Sequence, residues 1–409
     1  MRRVVVTGLG AVTPVGNNVE TMWGNLIAGL HGIGTITRFD ITGYKSTLAA
    51  EVKGFDPLEY MEKNEARRLD LYSQYAIAAT TQAVRDSGIQ NNIEPERFSV
   101  YFGSGIGGMT TFESEHGKLI DGGTRKVSPL FIPMMIANLA AGNIAIRFGA
   151  KGSCICVVTA CATGTDAIGQ AYRSIRHGYA DAAIAGGSEA TVTPMGVSGF
   201  VNMTALSTSG DPDAASLPFD RRRGGFVMGE GAGALILEEY EHAKRRGARI
   251  YAEVRGYGST CDAHHITAPS PDGISSARAI SDAYKEAESP AGLIYINAHG
   301  TGTPLNDSAE TAAVKAAFGG NMQNVLVSST KSMTGHMLGA AGAVEACISI
   351  LALTRGCLPP TAGLHEPDPE CDLDYIPLTA RKASPELAMS VSLGFGGHNA
   401  CLAFSKEIL

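Results

Sequence analysis

Arg3-Val4-Val5-Val6-Thr7-Gly8-Leu9-Gly10 near the start of the chain and Ile250-Tyr251-Ala252-Glu253-Val254-Arg255-Gly256-Tyr257-Gly258 past its middle share one form, a strand-like run closing on a Gly-x-Gly triplet. Each reads as a buried strand that enters a turn at its glycines. An alanine-rich helical stretch follows each, Tyr75 to Arg85 and Ala277 to Glu288. A strand and a glycine-bearing loop come next, Phe98 to Phe102 with Gly103-Ser104-Gly105 and Leu293 to Ala298 with His299-Gly300-Thr301-Gly302. The order predicts one unit used twice, residues 1–250 and 251–409, with long insertions in the first. Alternating strands and helices predict an α/β fold whose parallel or mixed sheets are buried on both faces.

The 409 residues exceed the size at which one ordinary core stops growing. With 44% hydrophobic and 18% charged residues and 50 glycines, the composition is that of an enzyme rich in tight turns rather than a disordered or fibrous chain. Met1-Arg2-Arg3 precedes only three valines, too few for a signal peptide or a membrane span, so a cytoplasmic protein without membrane contact is expected. A net charge of −7 argues against nucleic acid as a partner. The basic clusters Lys63, Arg67, Arg68 and Arg221, Arg222, Arg223 read chiefly as solvated surface. None of the eight cysteines forms a CxxC pair. Neither disulfides nor a metal centre is therefore expected.

Ser153 to Thr159 reads as a buried strand and Ala162 to His177 as an amphipathic helix with Gly178 as its stop. Cys161 falls at the junction. A thiol there faces the positive end of the helix dipole and unpaired N–H groups, which predicts a pKa below the free value of about 8.5. Small neighbours, Thr159, Ala160, Ala162 and Gly164, leave the sulfur approachable. Cys154, Cys156, Cys347 and Cys401 read as ordinary small apolar residues.

A nucleophilic cysteine needs a proton partner, and two of the ten histidines, His299 and His336, sit in loops that follow strands. Strand ends are where side chains converge on sites in α/β folds. His31, His116, His177, His242 and His365 read as structural. His336 precedes a helix from Gly339 to Thr354 that carries Glu345 among Ala340, Ala341, Val344, Cys347 and Ile348. That acid is costly to bury unless paired, and partial exposure is the other reading. In Gly394-Phe395-Gly396-Gly397-His398 the glycines suit backbone N–H groups brought close to a ligand beside an aromatic ring free to swing; a plain turn is the other reading.

Thr159-Ala160-Cys161, Asn297-Ala298-His299-Gly300-Thr301, Lys331-Ser332-Met333-Thr334-Gly335-His336 and Gly394-Phe395-Gly396-Gly397, in that order, resemble the signatures of the β-ketoacyl-acyl carrier protein synthases, in particular their elongating type II branch. The resemblance spans effectively the whole chain; each motif alone is weak and the combination is specific. It implies a thiolase-like fold, two similar halves in five αβαβα layers, working as a homodimer without a cofactor. It implies that Cys161 accepts an acyl group from acyl carrier protein, and that His299 and His336 hold the malonyl thioester and assist its decarboxylation. Lys331 would order the site around His336, and the N–H groups of Cys161 and Phe395 would form an oxyanion hole. Phe395 would also act as a gate. Thr301 and Thr303 would touch pantetheine, and Ile106, Phe131 and Phe200 would border an acyl tunnel. Arg67, Arg68, Arg125 and Lys126 would meet the carrier protein.

Val391-Ser392-Leu393 departs from the family's Asn-Ser-Phe, which bears on the gate's packing and on any monovalent ion near Asn297 and Glu345. Three neighbouring readings are disfavoured. A degradative thiolase needs a second cysteine where Phe395 stands, and a silent chain-length partner would lack Cys161. A dinucleotide-binding oxidoreductase fits Gly103-Ser104-Gly105-Ile106-Gly107-Gly108 but lacks the acid that should end the next strand, since Asp121 lies in a polar, glycine-rich stretch. A polyketide ketosynthase shares all of these residues.

Overall fold

The computed structural model describes residues 1–406. Ten strands form one mixed sheet. The first half supplies β1 (Val4–Val12), β2 (Phe98–Gly103), β3 (Cys154–Ile155), β4 (Ala182–Glu189) and β5 (Gly231–Glu239). The second supplies β6 (Ala252–Cys261), β7 (Ile294–Asn297), β8 (Val325–Ser328), β9 (Leu387–Gly394) and β10 (His398–Ser405). Their order is β8-β7-β9-β10-β6-β1-β5-β4-β2-β3. Read outward from the centre, the halves run β1-β5-β4-β2-β3 and β6-β10-β9-β7-β8, the same sequence of antiparallel and parallel pairings. They join where β1 meets β6, at Val5 opposite Glu253 and Val6 opposite Ala252.

The paired glycines do not make turns. Both triplets lie inside strands, because a helix backbone presses on them: a Cβ on Gly8 or Gly10 would stand 2.2 or 1.9 Å from the carbonyl oxygen of Ala83 or Ala79. Those carbonyls belong to α1 (Leu71–Ser87). A Cβ on Gly256 or Gly258 would meet Ala283 or Ala279, in the helix Ile274–Glu286, at 2.1 and 1.9 Å. The repeated triplet records a repeated close approach of helix to strand.

The helices α2 (Thr163–Arg176), α3 (Ile274–Glu286), α4 (Pro304–Phe318) and α5 (Ala341–Arg355) complete the layers. Leu235 and Leu237 of β5 join a core with Ala171 and Val344 from α2 and α5, while Ala234 and Ile236 join Ala76 and Ala79 from α1. Ala400, Leu402 and Phe404 of β10 enter the first of these cores, and Cys401 and Ala403 pack with Ile280 from α3. The strict alternation puts α1 on the first half of the sheet, α3 on the second half and α2 with α5 between the two halves: five layers of a thiolase-like fold. Helical residues Leu338–Arg355 are apolar and long enough to cross a membrane, but 89% of the stretch is buried inside the protein.

Ser153 to Thr159, expected as a buried strand, differs. Only Cys154–Ile155 pairs, at the sheet's edge, and Ile155 is 46% exposed. Among the described residues, β2 is its one neighbour in the sheet. In the cluster Arg221–Arg223, Arg221 and Arg222 are exposed, as expected, and pair with Glu366 and Asp220, while the half-buried Arg223 pairs with Asp368.

Candidate active site

Cys161 sits in a 3₁₀ turn, Ala160–Ala162, which leads into α2. Ala160 takes φ +49°, an uncommon conformation for a residue with a Cβ, and so presents the next side chain off the end of the helix. The same turn recurs in the second half as Leu338-Gly339-Ala340, with Leu338 at φ +49°, opening α5. Glu189 ties the second of these turns to the glycine-rich loop after β2. Its buried carboxylate accepts from Gly339 N at 3.0 Å, Gly105 N at 2.9 Å, Ile106 N at 3.3 Å and the hydroxyls of Ser104 and Thr191. The glycine-rich loop after β2 thus gives its N–H groups to a protein carboxylate, which removes the dinucleotide reading.

Burial pushes the Cys161 thiol up to about 12, against the opposing pull of the Lys331 ammonium and the Phe395 N–H. This overturns the expectation of a ready thiolate. The helix end is there, but Cys161 is only 7% exposed within an apolar cluster with Phe226, Met228 and Leu338, and desolvation outweighs the dipole. At physiological pH the Cys161 side chain is therefore a neutral thiol.

His299 and His336 lie edge to face, ring centroids 5.2 Å apart at 89°. Burial, reinforced by the nearby Lys331 charge, holds both imidazoles well below the ordinary range, so both are neutral at physiological pH. His299 follows β7, and its loop is held by Glu310 of α4, which accepts from His299 N at 2.6 Å and Gly300 N at 2.7 Å. His336 is held by its own backbone: it donates to Val227 O at 2.7 Å and accepts from Gly229 N at 2.8 Å. Lys331 donates to Glu345, which is fully buried rather than partly exposed, and the Lys331 charge bears on Cys161, His299 and His336 alike.

Gly394-Phe395-Gly396-Gly397 makes the tight connection between β9 and β10, with φ +86° and +76° at Gly396 and Gly397. A Cβ on Gly394 would stand 2.7 Å from Thr159 O and 3.2 Å from Cys161 N, so only glycine lets this hairpin lie against the turn that holds Cys161. Val391 is buried in the apolar core of the second half, Leu393 packs on the same core, and the Ser392 hydroxyl meets that of Thr165 at 2.7 Å. The departing residues keep the hairpin seated.

The Phe200 ring lies 6.4 Å from that of Phe395, and the hydroxyls of Thr301 and Thr303 meet at 3.0 Å. Phe131 is not in this group; its ring packs on Phe112 at 6.3 Å. Ile106 is 40% exposed. Arg67, Arg68, Arg125 and Lys126 are exposed. Sequence reading missed Glu189, Glu310 and Phe226. The acids carry no motif of their own, although Glu310 stands 11 residues after His299 in a helix that opens at Pro304.

Architecture and site together define a thiolase-like enzyme of the acyltransferase class. Residues 1–243 match the N-terminal domain of β-ketoacyl synthases and residues 251–365 their C-terminal domain. The chain belongs to the β-ketoacyl synthase family. It is 50% identical over 408 residues to the 3-oxoacyl-[acyl-carrier-protein] synthase 2 of Synechocystis sp. (strain ATCC 27184 / PCC 6803 / Kazusa), covering 99% of this chain and 98% of that one. Identity to the enzyme of the same name from Staphylococcus aureus (strain N315) is 50% over 407 residues, with the same coverage. A type II polyketide ketosynthase, solved with its acyl carrier protein and bound to a hexaketide, superposes with TM-score 0.92 at 36% identity over all of both chains. A β-ketoacyl synthase from Burkholderia phymatum STM815 gives the same figures.

Proposed function

We propose that the protein is a 3-oxoacyl-acyl carrier protein synthase that elongates fatty acyl chains by decarboxylative condensation, with Cys161, His299 and His336 as its catalytic residues. Cys161 sulfur bonds to the acyl carbonyl carbon, and the carrier's pantetheine sulfur leaves with the proton. Malonyl-acyl carrier protein then loses CO2, and the bonding electrons pass to the thioester oxygen as an enolate. Its carbon attacks the acyl-enzyme, and Cys161 departs and recovers a proton. The product is a β-ketoacyl chain two carbons longer. The observation that carries this reading is the pair of neutral imidazoles that shares one buried ammonium with a single thiol. Neutral rings donate to an enolate oxygen without drawing a malonyl carboxylate into an ion pair.

Cys161 N–H and Phe395 N–H would serve the acyl-transfer oxyanion, and Phe395 would gate the pocket that Ile106 and Phe200 border. Thr301 and Thr303 would hold pantetheine. Exposed Arg67, Arg68, Arg125 and Lys126 suit an acidic carrier protein, a complementarity that speeds encounter. A homodimer would cover the open edge at β3, where Ile146, Ile155 and Val158 are 81%, 46% and 53% exposed. A monovalent cation beside Asn297 and Glu345 would balance charge there: among the described residues, Glu345 Oε2 and the hydroxyl of Ser390, the cross-strand neighbour of Asn297, are buried without hydrogen-bond partners. We assign the work to the cytoplasm.

Given acyl carrier thioesters of graded length with malonyl carrier, the protein should release 3-oxoacyl products two carbons longer, read by mass spectrometry. Products of unchanged length would refute condensation, and repeated unreduced extension would favour the polyketide-type reading. The same series reports acyl length and tolerance for unsaturation.

Glu310 is a positioning residue. Its carboxyl is raised to about 7 by burial, so the two-bond carboxylate grip on the His299 loop is complete above that pH and weakens below it as the group protonates. CO2 release by the unaltered protein should therefore fall as pH drops from 8 to 6. Glu310→Gln should be slower by about tenfold at pH 8, the weight of one hydrogen bond to a charged group, and should lack that limb. An unchanged pH profile in the variant would remove the role.

A further inference from the structure

A catalytic imidazole is ordinarily oriented by a hydrogen bond at its second ring nitrogen. Among the described residues, Nδ1 of His336 is buried and has no such partner. Its ring plane must be set by packing. The strand-like pairing of Met228 with His336 places Phe226 beside the ring, centroids 5.1 Å apart at 78°. Phe226 is only 4% exposed and is itself met edge-on by Phe200 at 5.5 Å and 75°. Phe200, half-buried, reaches Phe395 at 6.4 Å. An unbroken series of rings thus runs from the hairpin beside Cys161 to the second histidine.

We propose that Phe226 is a positioning residue that orients His336, and that through Phe200 it makes the malonyl step sensitive to where Phe395 stands. The proposal rests on the catalytic reading of His336 and the gating reading of Phe395. Phe226 cannot shift without disturbing the imidazole, whereas the half-buried Phe200 has room to follow Phe395. With Phe395 seated, the three rings brace the imidazole for decarboxylation. Swung away during acyl transfer, Phe395 withdraws that support, so malonyl is spared while Cys161 is being acylated. Each edge-to-face contact is worth about two- to tenfold in an equilibrium.

A double-mutant cycle on separated half-reactions tests this. Phe226→Leu keeps apolar volume but removes the ring. It should slow CO2 release from malonyl carrier about 3- to 10-fold while acyl transfer to Cys161 changes less than about twofold. Phe200→Leu should act in the same direction. Combining Phe226→Leu with Phe395→Leu should cost no more than the larger single effect. Multiplying effects would overturn the coupling, and equal slowing of both half-reactions would overturn the positioning role. His336→Ala, assayed alongside, separates the two levels. Release that survives it sinks the catalytic reading of His336 and the proposal with it, whereas lost release with multiplying Phe226 and Phe395 effects sinks the proposal alone.

Discussion

Cys161→Ala is expected to abolish acyl-enzyme formation and to cut condensation by about 10⁴- to 10⁶-fold, the scale on which removing a covalent nucleophile acts. The substitution deletes one heavy atom from a site that is 7% exposed, so a stability cost of about 1 kcal/mol is all that packing predicts, and the loss is chemical. Intact mass after incubation with an acyl carrier thioester should rise by one acyl group in the unaltered protein and stay unchanged in the variant. Peptide mapping should place that mass on the segment holding Cys161. Acylation of another cysteine would overturn the assignment. Because the histidines survive, CO2 release from malonyl carrier should persist in the variant, which separates the nucleophile's work from theirs.

Removing either imidazole should reverse this pattern. His299→Ala and His336→Ala are each expected to lower CO2 release by about 10²- to 10³-fold, the weight of one preorganised donor at a developing oxyanion. Acyl transfer to Cys161 should survive in both. The two effects should not multiply in the double variant, since the rings lie 5.2 Å apart and would act on one oxygen. Asparagine in place of either histidine keeps an N–H donor and should recover part of the rate; asparagine no better than alanine would show that donation is not what the ring supplies.

Much of the scaffold around these groups is legible along the chain. The helix that presents Cys161 is announced by its apolar period and by Gly178, and it runs Thr163–Arg176 with Gly178 at φ +84°. Equally, α5 ends at Arg355 on Gly356 at φ +62°, close to where periodicity places it. Other signals mislead because they are local. Gly8 and Gly256 look like turn residues until the helix carbonyls that exclude a Cβ are in view. Cys161 looks like a thiolate until the residues that strip its water are known. Glu345 reads evenly between burial and exposure because its partner, Lys331, lies on another element.

What short-range chemistry writes into this chain is therefore its list of elements, their repetition, and the residue types that meet at their ends: periodicity, caps and strained turns act over a few neighbours. Protonation state, the grip of Glu310 on the His299 loop, and the bracing of His336 by Phe226 come from residues 11 or 110 positions apart. Desolvation and ring contact fall off within a few ångströms, so they exist only once the folded layers have brought those residues together.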